Sequence, residues 1–179
     1  MVEFFDILDE NGNKTGKTKA RAEVHRDGDW HKAVHIWIAN NKDEILLQKR
    51  SPNKDSYPNM WDISSAGHLT AGDDSISEAI REIKEELGVD VLASQLTLIG
   101  TRKSSAKPTS EFINNEFNDV YLLRLSLNID KIALQDDEVS EVRYIPIEDF
   151  RNMIKTRDKT LLMHDDEFVM LFEALGYSL

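Results

Sequence analysis

Residues 67–89, GHLTAGDDSISEAIREIKEELGV, crowd Glu78, Glu82, Glu85 and Glu86 into one short stretch that also reads as a helix. At about 100° per residue the four acids share one face, and Ile76, Ala79, Ile80, Ile83 and Leu87 take the other. Ser75 followed by Glu78 reads as a capping box and Gly88 as the stop, so the pattern predicts a helix over Ser75–Leu87. The acidic face has two readings: a solvated surface relieved by Arg81 and Lys84, or a cation site. Two costs weigh against the first. Glu78/Glu82 and Glu82/Glu86 are like-charge pairs at i,i+4, each unfavourable by roughly 0.2–0.5 kcal/mol. Glu85 and Glu86 also oppose the helix dipole at its C-terminal end. A divalent cation reverses the sign of both, because carboxylates on a rigid helix form a hard-oxygen site suited to Mg²⁺ or Mn²⁺ with positions left for water and phosphates.

Outward from this helix, short strands and helices alternate. EFFDILDENGNKTGKTKA (3–20) reads as a strand, an Asn-Gly turn, and a second strand or extended arm. HKAVHIWIANNKDEILLQKR (31–50) is a hairpin: Val34, Ile36 and Ile38 alternate, NNKD turns, and Ile45–Leu47 returns. Residues 51–67 carry Pro52, Pro58 and many turn formers, predicting a loop that ends in a short strand at Trp61–Ser64. Further strands are expected at Leu96–Lys103, Asn118–Leu127 and Val142–Pro146. Two helices follow from Ile147, the last being DEFVMLFEALG (166–176). The mixture predicts an α/β or α+β sandwich.

A chain of 179 residues fits one ordinary domain spanning 1–179. Acidic residues number 33 against 22 basic, a net charge of −11, which argues against binding a nucleic-acid polymer or an anionic membrane. No cysteine is present, so disulfides, thiolate zinc sites and cysteine nucleophiles are excluded. MVEFFDILDENG lacks a basic region followed by a long apolar run, and no window approaches 18 apolar residues. The expected compartment is the reducing cytoplasm. The N-terminal hairpin or the last helix either pairs with another chain, making a homodimer, or caps the core.

The spacing of the opening stretch resembles the Nudix box: Gly, five residues, Glu, seven residues, then Arg-Glu-aliphatic-any-Glu-Glu-any-Gly-aliphatic. Gly67, Arg81, Glu82, Ile83, Glu85, Glu86, Gly88 and Val89 match; Asp73 stands where the box has Glu. The resemblance implies a Nudix α/β/α sandwich with a mixed sheet and an N-terminal β-hairpin. It implies that Glu82, Glu85 and Glu86 hold one or more divalent ions, with the carbonyl of Ala66 as a further ligand and Arg81 orienting the glutamates. Asp73, or its neighbour Asp74, would support the metal site.

Outside the box the chain resembles one branch of the family, the isopentenyl-diphosphate isomerases, through LLQKRSPNKDSYPNMW (46–61), AGH (66–68) and DDEV (136–139). That branch uses three histidines and two glutamates for a second metal, and a cysteine for proton transfer. His25, His31 and His68 match the histidines and Glu116 one glutamate, while Asn114 takes the other glutamate position and Ala66 the cysteine position. EVHRDGDWHKAVH (23–35) also reads as a surface loop followed by a strand, with His35 an ordinary strand residue; His164, in a helix or its cap, carries no site argument. Alanine has no proton to move, so the resemblance favours hydrolysis of a diphosphate by water attack at phosphorus, assisted by Mg²⁺ or Mn²⁺. Isomerisation and a non-catalytic binding module are the alternatives. Glu82 or Glu86 is the expected base, with Glu116 and Glu138 as other candidates. Arg50, Lys49 and Lys54 are candidates for the substrate phosphates. Trp61 and Tyr57 either stack on a base or belong to the core.

Overall fold

A computed structural model describes residues 2–54, 56–109 and 111–179. The chain runs β1 (Phe4–Leu8), β2 (Lys14–Ala20), α1 (Arg21–Asp27), β3 (Trp30–Ala39), β4 (Glu44–Arg50), β5 (Trp61–Asp62) and β6 (Ser65–His68). It continues through α2 (Ser75–Leu87), β7 (Leu96–Thr109), β8 (Phe112–Arg124), β9 (Val139–Pro146), α3 (Ile147–Thr156) and α4 (Asp165–Leu175).

Strand β3 organises the sheet. One edge pairs in parallel with β8 along its whole length, from Trp30↔Asn115 to Ala39↔Arg124. The other edge is shared end to end by three antiparallel partners: β1 at Trp30, β6 across Ala33–Ile36, and β4 at Ile38 and Ala39. The hairpin β1–β2, the strand β7 on β8, and β9 on β4 complete a mixed sheet.

Both faces of β3 are buried, which is why its sequence lacks a polar alternation. Val34, Ile36 and Ile38 pack with Leu46 and Leu123 against Ala79, Ile83 and Leu87 of α2. On the opposite face Trp37, Val120 and Leu122 meet Phe150 of α3 and Phe168, Leu171 and Phe172 of α4. The result is an α/β/α sandwich.

Four local expectations need correction. Arg21–Asp27 is a helix where a loop was expected, closed by Gly28 in the left-handed region (φ 71°). Seven residues with Val24 as their buried apolar side chain are too short to show a helical period. Helix α2 is capped by Asp74, whose side chain accepts the Ser77 N–H at 3.0 Å, not by Ser75. Ser75 lies inside the first turn with its hydroxyl 2.6 Å from the Tyr121 hydroxyl, and Glu78 is buried against Arg81 instead of reaching back. The strand expected at Trp61–Ser64 is only Trp61–Asp62, β5 on β4, and a separate strand, β6 on β3, follows at Ser65–His68. Ser64 bridges the crossing, accepting the Ile38 N–H at 2.8 Å and donating to the Leu46 carbonyl at 2.6 Å. Finally, β7 and β8 form a longer hairpin than the apolar pattern shows, because their outer halves line a polar cavity.

Candidate functional site

The cavity, about 470 Å³, opens over β6, β3, β8 and β7 and is bounded by α2 and the 50–57 loop. Glu82, Glu85, Arg81, Ala66, Arg50, Lys54, His68, Glu116 and Glu138 all line it. Glu86 lies just beneath, 4% exposed, its carboxylate accepting the Ala66 N–H at 3.1 Å. The register of α2 against β6 makes this possible. A Cβ on Gly67 would fall 2.1 Å from Glu82 Cδ, so only glycine lets that carboxylate lie against the strand.

Arg81 clamps the acidic face, bonding Glu82 at 2.7 Å, Glu85 at 2.6 Å, and Glu78. Burial, reinforced by the charge on Glu86, pushes the Glu82 carboxyl up to about 9. Burial likewise pushes Glu86 up to about 7. Two enclosed carboxylates that resist ionisation need protons or a cation between them, so the oxygen donors of Glu82, Glu85 and Glu86 beside Ala66 fit a hard divalent ion. Asp73 is exposed and outside this cavity, and Asp74 is committed to capping α2.

The basic candidates separate. Arg50 reaches the cavity with its guanidinium bonded to Asp62 at 3.1 Å and to the Ser56 carbonyl at 2.9 and 3.1 Å. Lys54 reaches it paired with Glu138. Lys49, one residue from Arg50 in β4, projects to the other side and lies outside the cavity near Glu141. Trp61 is buried beneath the Arg143 guanidinium, 3.9 Å from its ring centre, so it belongs to the core; Tyr57 lines the cavity.

Helix α1 and strand β3 bring His25 and His31 beside His68, with ring centres 5.0–5.2 Å apart. The Nδ1 atoms of His25 and His31 face the carbonyls of Arg21 and Asp29 at 2.9 and 3.0 Å. The Nε2 atoms of His25 and His31 are buried without a hydrogen-bond partner among the described residues, and that of His68 is buried facing Glu116. Nδ1–H donated to a carbonyl fixes the tautomer with a free Nε2 lone pair, the arrangement of a metal-binding imidazole. Burial, then the charge of His68, lowers His31 to about 4; burial lowers His25 as well. Glu116 lies 3.1 Å from His68 Nε2 and 3.8 Å from His31 Nε2. Burial would raise its carboxyl, but His68 and His31 hold it well below the usual range. Asn114 adds a buried amide oxygen without a partner among the described residues.

A second polar cluster was not legible in the sequence. His35 Nδ1 donates to Glu167 Oε1 at 2.8 Å, and Arg102 bonds both Glu167 Oε1 at 3.0 Å and His164 Nδ1 at 3.1 Å. His164 Nε2 in turn donates to Asp62 at 2.8 Å. Its members come from β3, β5, β7 and α4, and only the His164/Glu167 spacing of three is a local signal. Asn118 joins the two clusters, its amide nitrogen 3.2 Å from His35 Nε2 and 3.0 Å from Glu116. The cavity therefore offers clustered carboxylates able to hold cations at one side and a preorganised set of donors at the other.

The NUDIX domain model matches residues 29–165. Nudix hydrolase 3 of Arabidopsis thaliana is 45% identical over 179 residues, covering 97% of this chain; the chain spans 23% of that protein's length. An isopentenyl-diphosphate Delta-isomerase of Paenarthrobacter aurescens is 33% identical over 126 residues, 70% of this chain and 67% of that one. The crystal structure of a Deinococcus radiodurans protein superposes with a TM-score of 0.68 at 20% identity, covering 94% of this chain and 98% of its own.

Proposed function

The chain belongs to the Nudix hydrolase family, and from that premise we propose that it hydrolyses a diphosphate linkage with Mg²⁺ or Mn²⁺, acting on a nucleoside di- or triphosphate or a related nucleoside diphosphate derivative. The observation that carries this reading is the enclosure of Glu82 and Glu86 against Ala66 and Gly67 at the cavity wall. We read residues 1–179 as one Nudix domain working in the cytoplasm on a small molecule. Among the described residues no helix is long and apolar enough to cross a membrane.

Glu82, Glu85 and Glu86, with Ala66, hold the divalent ion; when bound, it neutralises diphosphate oxygens and lowers the pKa of the attacking water. Arg81 fixes the glutamates through three ion pairs. Arg50 and Lys54 supply charge-assisted hydrogen bonds to the diphosphate once it competes for their present partners, Asp62 and Glu138. Water attacks one phosphorus, the bridging P–O bond breaks, and the water's proton passes to Glu82 or Glu86. Either acid must be ionised to accept that proton, and a cation beside the pair would favour the ionised form that burial opposes. Glu116 and Glu138 are the other carboxylates within the cavity.

The three-histidine cluster with Glu116 favours a second reading, the isomerase of isopentenyl diphosphate. Against it stand Ala66, with no proton to transfer, and Asn114 in place of a carboxylate. In the hydrolase reading His25, His31, His68 and Glu116 hold a second ion. The test is a phosphate-release screen over nucleotides, dinucleotides, sugar nucleotides and isoprenoid diphosphates, with Mg²⁺ and Mn²⁺ compared and double-bond migration followed in parallel. Metal-dependent release from a nucleoside diphosphate compound is expected. Double-bond migration without release would establish the isomerase, and tight binding with neither product a non-catalytic module.

A further inference from the structure

We infer that Arg102 is a specificity-determining residue: it hydrogen-bonds a neutral oxygen, a sugar hydroxyl or a base carbonyl, on the group esterified to the bound diphosphate. The inference rests on the diphosphate reading above, and starts from the sheet register. Arg102 pairs with Asn118, Asn118 with Ala33, and Ala33 with His68, the residue after Gly67. The arginine thus stands three strands across the sheet from the strand that meets the acidic helix, roughly 14 Å at about 4.8 Å per strand. A diphosphate held by Glu82 and Glu86 is too short to span that gap. In that row lie the fully buried Asn118 and then Ala33, and on the cavity wall between are the small side chains of Ala33, Ala66 and Ser104. The organic part of the substrate has room to cross there and ends at the arginine.

Four residues are spent on holding this one guanidinium. Glu167 and His164 both accept from its Nη1, His35 donates to the same Glu167 oxygen, and Asp62 fixes the His164 tautomer. Among the described residues the guanidinium's hydrogen bonds are made by Nη1, its buried Nε has no hydrogen-bond partner, and Arg102 lines the cavity. A donor locked this firmly loses little entropy when a ligand arrives, which is how a recognition group gains selectivity.

Charge decides the ligand class. Glu167 cancels Arg102, and Asp166 lies 3.9 Å from its Nε, so this end of the cavity carries little excess positive charge for another phosphate. Fixed donors without net charge select a neutral acceptor oxygen, and an aliphatic isoprenoid tail would leave them unpaired.

The test measures binding, so that it stands apart from turnover. Isothermal titration in Mn²⁺ compares two uncleavable probes, adenosine 5′-(α,β-methylene)diphosphate and methylenediphosphonate, with uridine 5′-(α,β-methylene)diphosphate and the corresponding methylene analogue of a uridine diphosphate sugar separating base from sugar contacts. The wild type binds the nucleoside probes more tightly than methylenediphosphonate. Arg102→Met narrows that gap about tenfold or more, the worth of a hydrogen bond to a charged donor. Arg102→Lys keeps a charge beside Glu167 and serves if the methionine variant does not fold; it narrows the gap too, because lysine lacks the planar fork. A gap unchanged in the folded variants overturns the inference. Selective nucleoside binding by a wild type that cleaves none of the cleavable counterparts would overturn the hydrolase reading and leave this one standing.

Discussion

Gly67 holds open the space that the Glu82 carboxylate occupies: a Cβ at residue 67 would meet Glu82 Cδ and Oε1 at 2.1 Å. The glycine lies in extended β6 and its φ is not in the left-handed region, so alanine is acceptable to the backbone. What must yield is the end of a flexible side chain. Gly67→Ala is therefore expected to cost little stability while swinging Glu82 away from the strand. Mn²⁺ affinity, read by electron paramagnetic resonance, should fall about 10–100-fold, the scale seen when the surroundings of a metal ligand are disturbed. Unaltered Mn²⁺ binding in the variant would remove Glu82 from the cation site.

Glu86→Gln removes a buried acid of the helix and keeps its shape. Burial already opposes ionisation there, so the metal-free variant should melt no lower than the wild type. Turnover is expected to drop about 10²-fold or more, the usual contribution of a positioned proton acceptor. A variant with full activity on a confirmed substrate would refute the role given to Glu86.

The pH dependence of metal-free stability has a definite sign. Burial raises Glu86 to about 7, and burial with the Glu86 charge raises Glu82 to about 9, against 4.5 for an ordinary glutamate. Between those values the folded chain binds more protons than the unfolded one, so stability falls as pH rises. His35 adds to the fall: burial would lower its pKa, but Glu167 outweighs burial and raises it, so its contribution is also lost with rising pH. His31, lowered to about 4, acts oppositely but only below its unfolded value of 6.5. Calorimetry between pH 6.5 and 9 should show the melting temperature of chelator-treated protein declining. Added Mg²⁺ should restore more stability at pH 9 than at 6.5. A flat metal-free profile over that range would contradict the burial of the two acids.

The parts of this molecule that were legible are those written in consecutive residues. Helix α2 carries its acidic face, its apolar face and its stop within one stretch, and Val34, Ile36 and Ile38 announce the central strand. Lys49 was misjudged because adjacency in sequence reverses the face in a strand: Arg50 enters the cavity and Lys49 leaves it. Arg102, Glu167, His164, Asp62 and His35 were missed for the opposite reason. Each is an ordinary residue in its own segment, and only the pairing of β7 with β8 and of β8 with β3, with β5 and the start of α4 brought against them, assembles them. Asp74 was overlooked as the helix cap because Ser75 offers a capping side-chain oxygen one residue later.

That last point is directly measurable. Asp74→Ala deletes the bond to the Ser77 N–H and an acid at the positive end of the helix dipole, and should destabilise the protein by about 1 kcal/mol. Ser75→Ala removes only a neutral hydroxyl–hydroxyl contact with Tyr121 and should cost less. Denaturant titration of the two variants ranks them; a larger loss for Ser75→Ala would return the cap to Ser75.

The histidine cluster supports the sharpest prediction about a second ion. Imidazoles bind metals only when neutral, and ordinary histidines begin to protonate near pH 6.5. His31 is lowered to about 4 by burial and by the neighbouring His68, and burial lowers His25 as well. Their Nδ1 atoms are tied to the Arg21 and Asp29 carbonyls, which leaves each Nε2 aimed at the same buried space as His68 Nε2. Such a nitrogen-rich set beside one carboxylate, Glu116, prefers Co²⁺ or Zn²⁺ to Mg²⁺, in contrast to the all-oxygen set on α2. Titration with Co²⁺ should therefore give one tightly held equivalent with visible ligand-field absorption, and His31→Asn should abolish that absorption. Mn²⁺ binding at Glu82, Glu85 and Glu86 should persist in the same variant, since its ligands lie on α2. Co²⁺ absorption should also survive to a lower pH than the free-histidine value allows. If His31→Asn leaves the Co²⁺ spectrum intact, the three rings are packed together for reasons other than a metal.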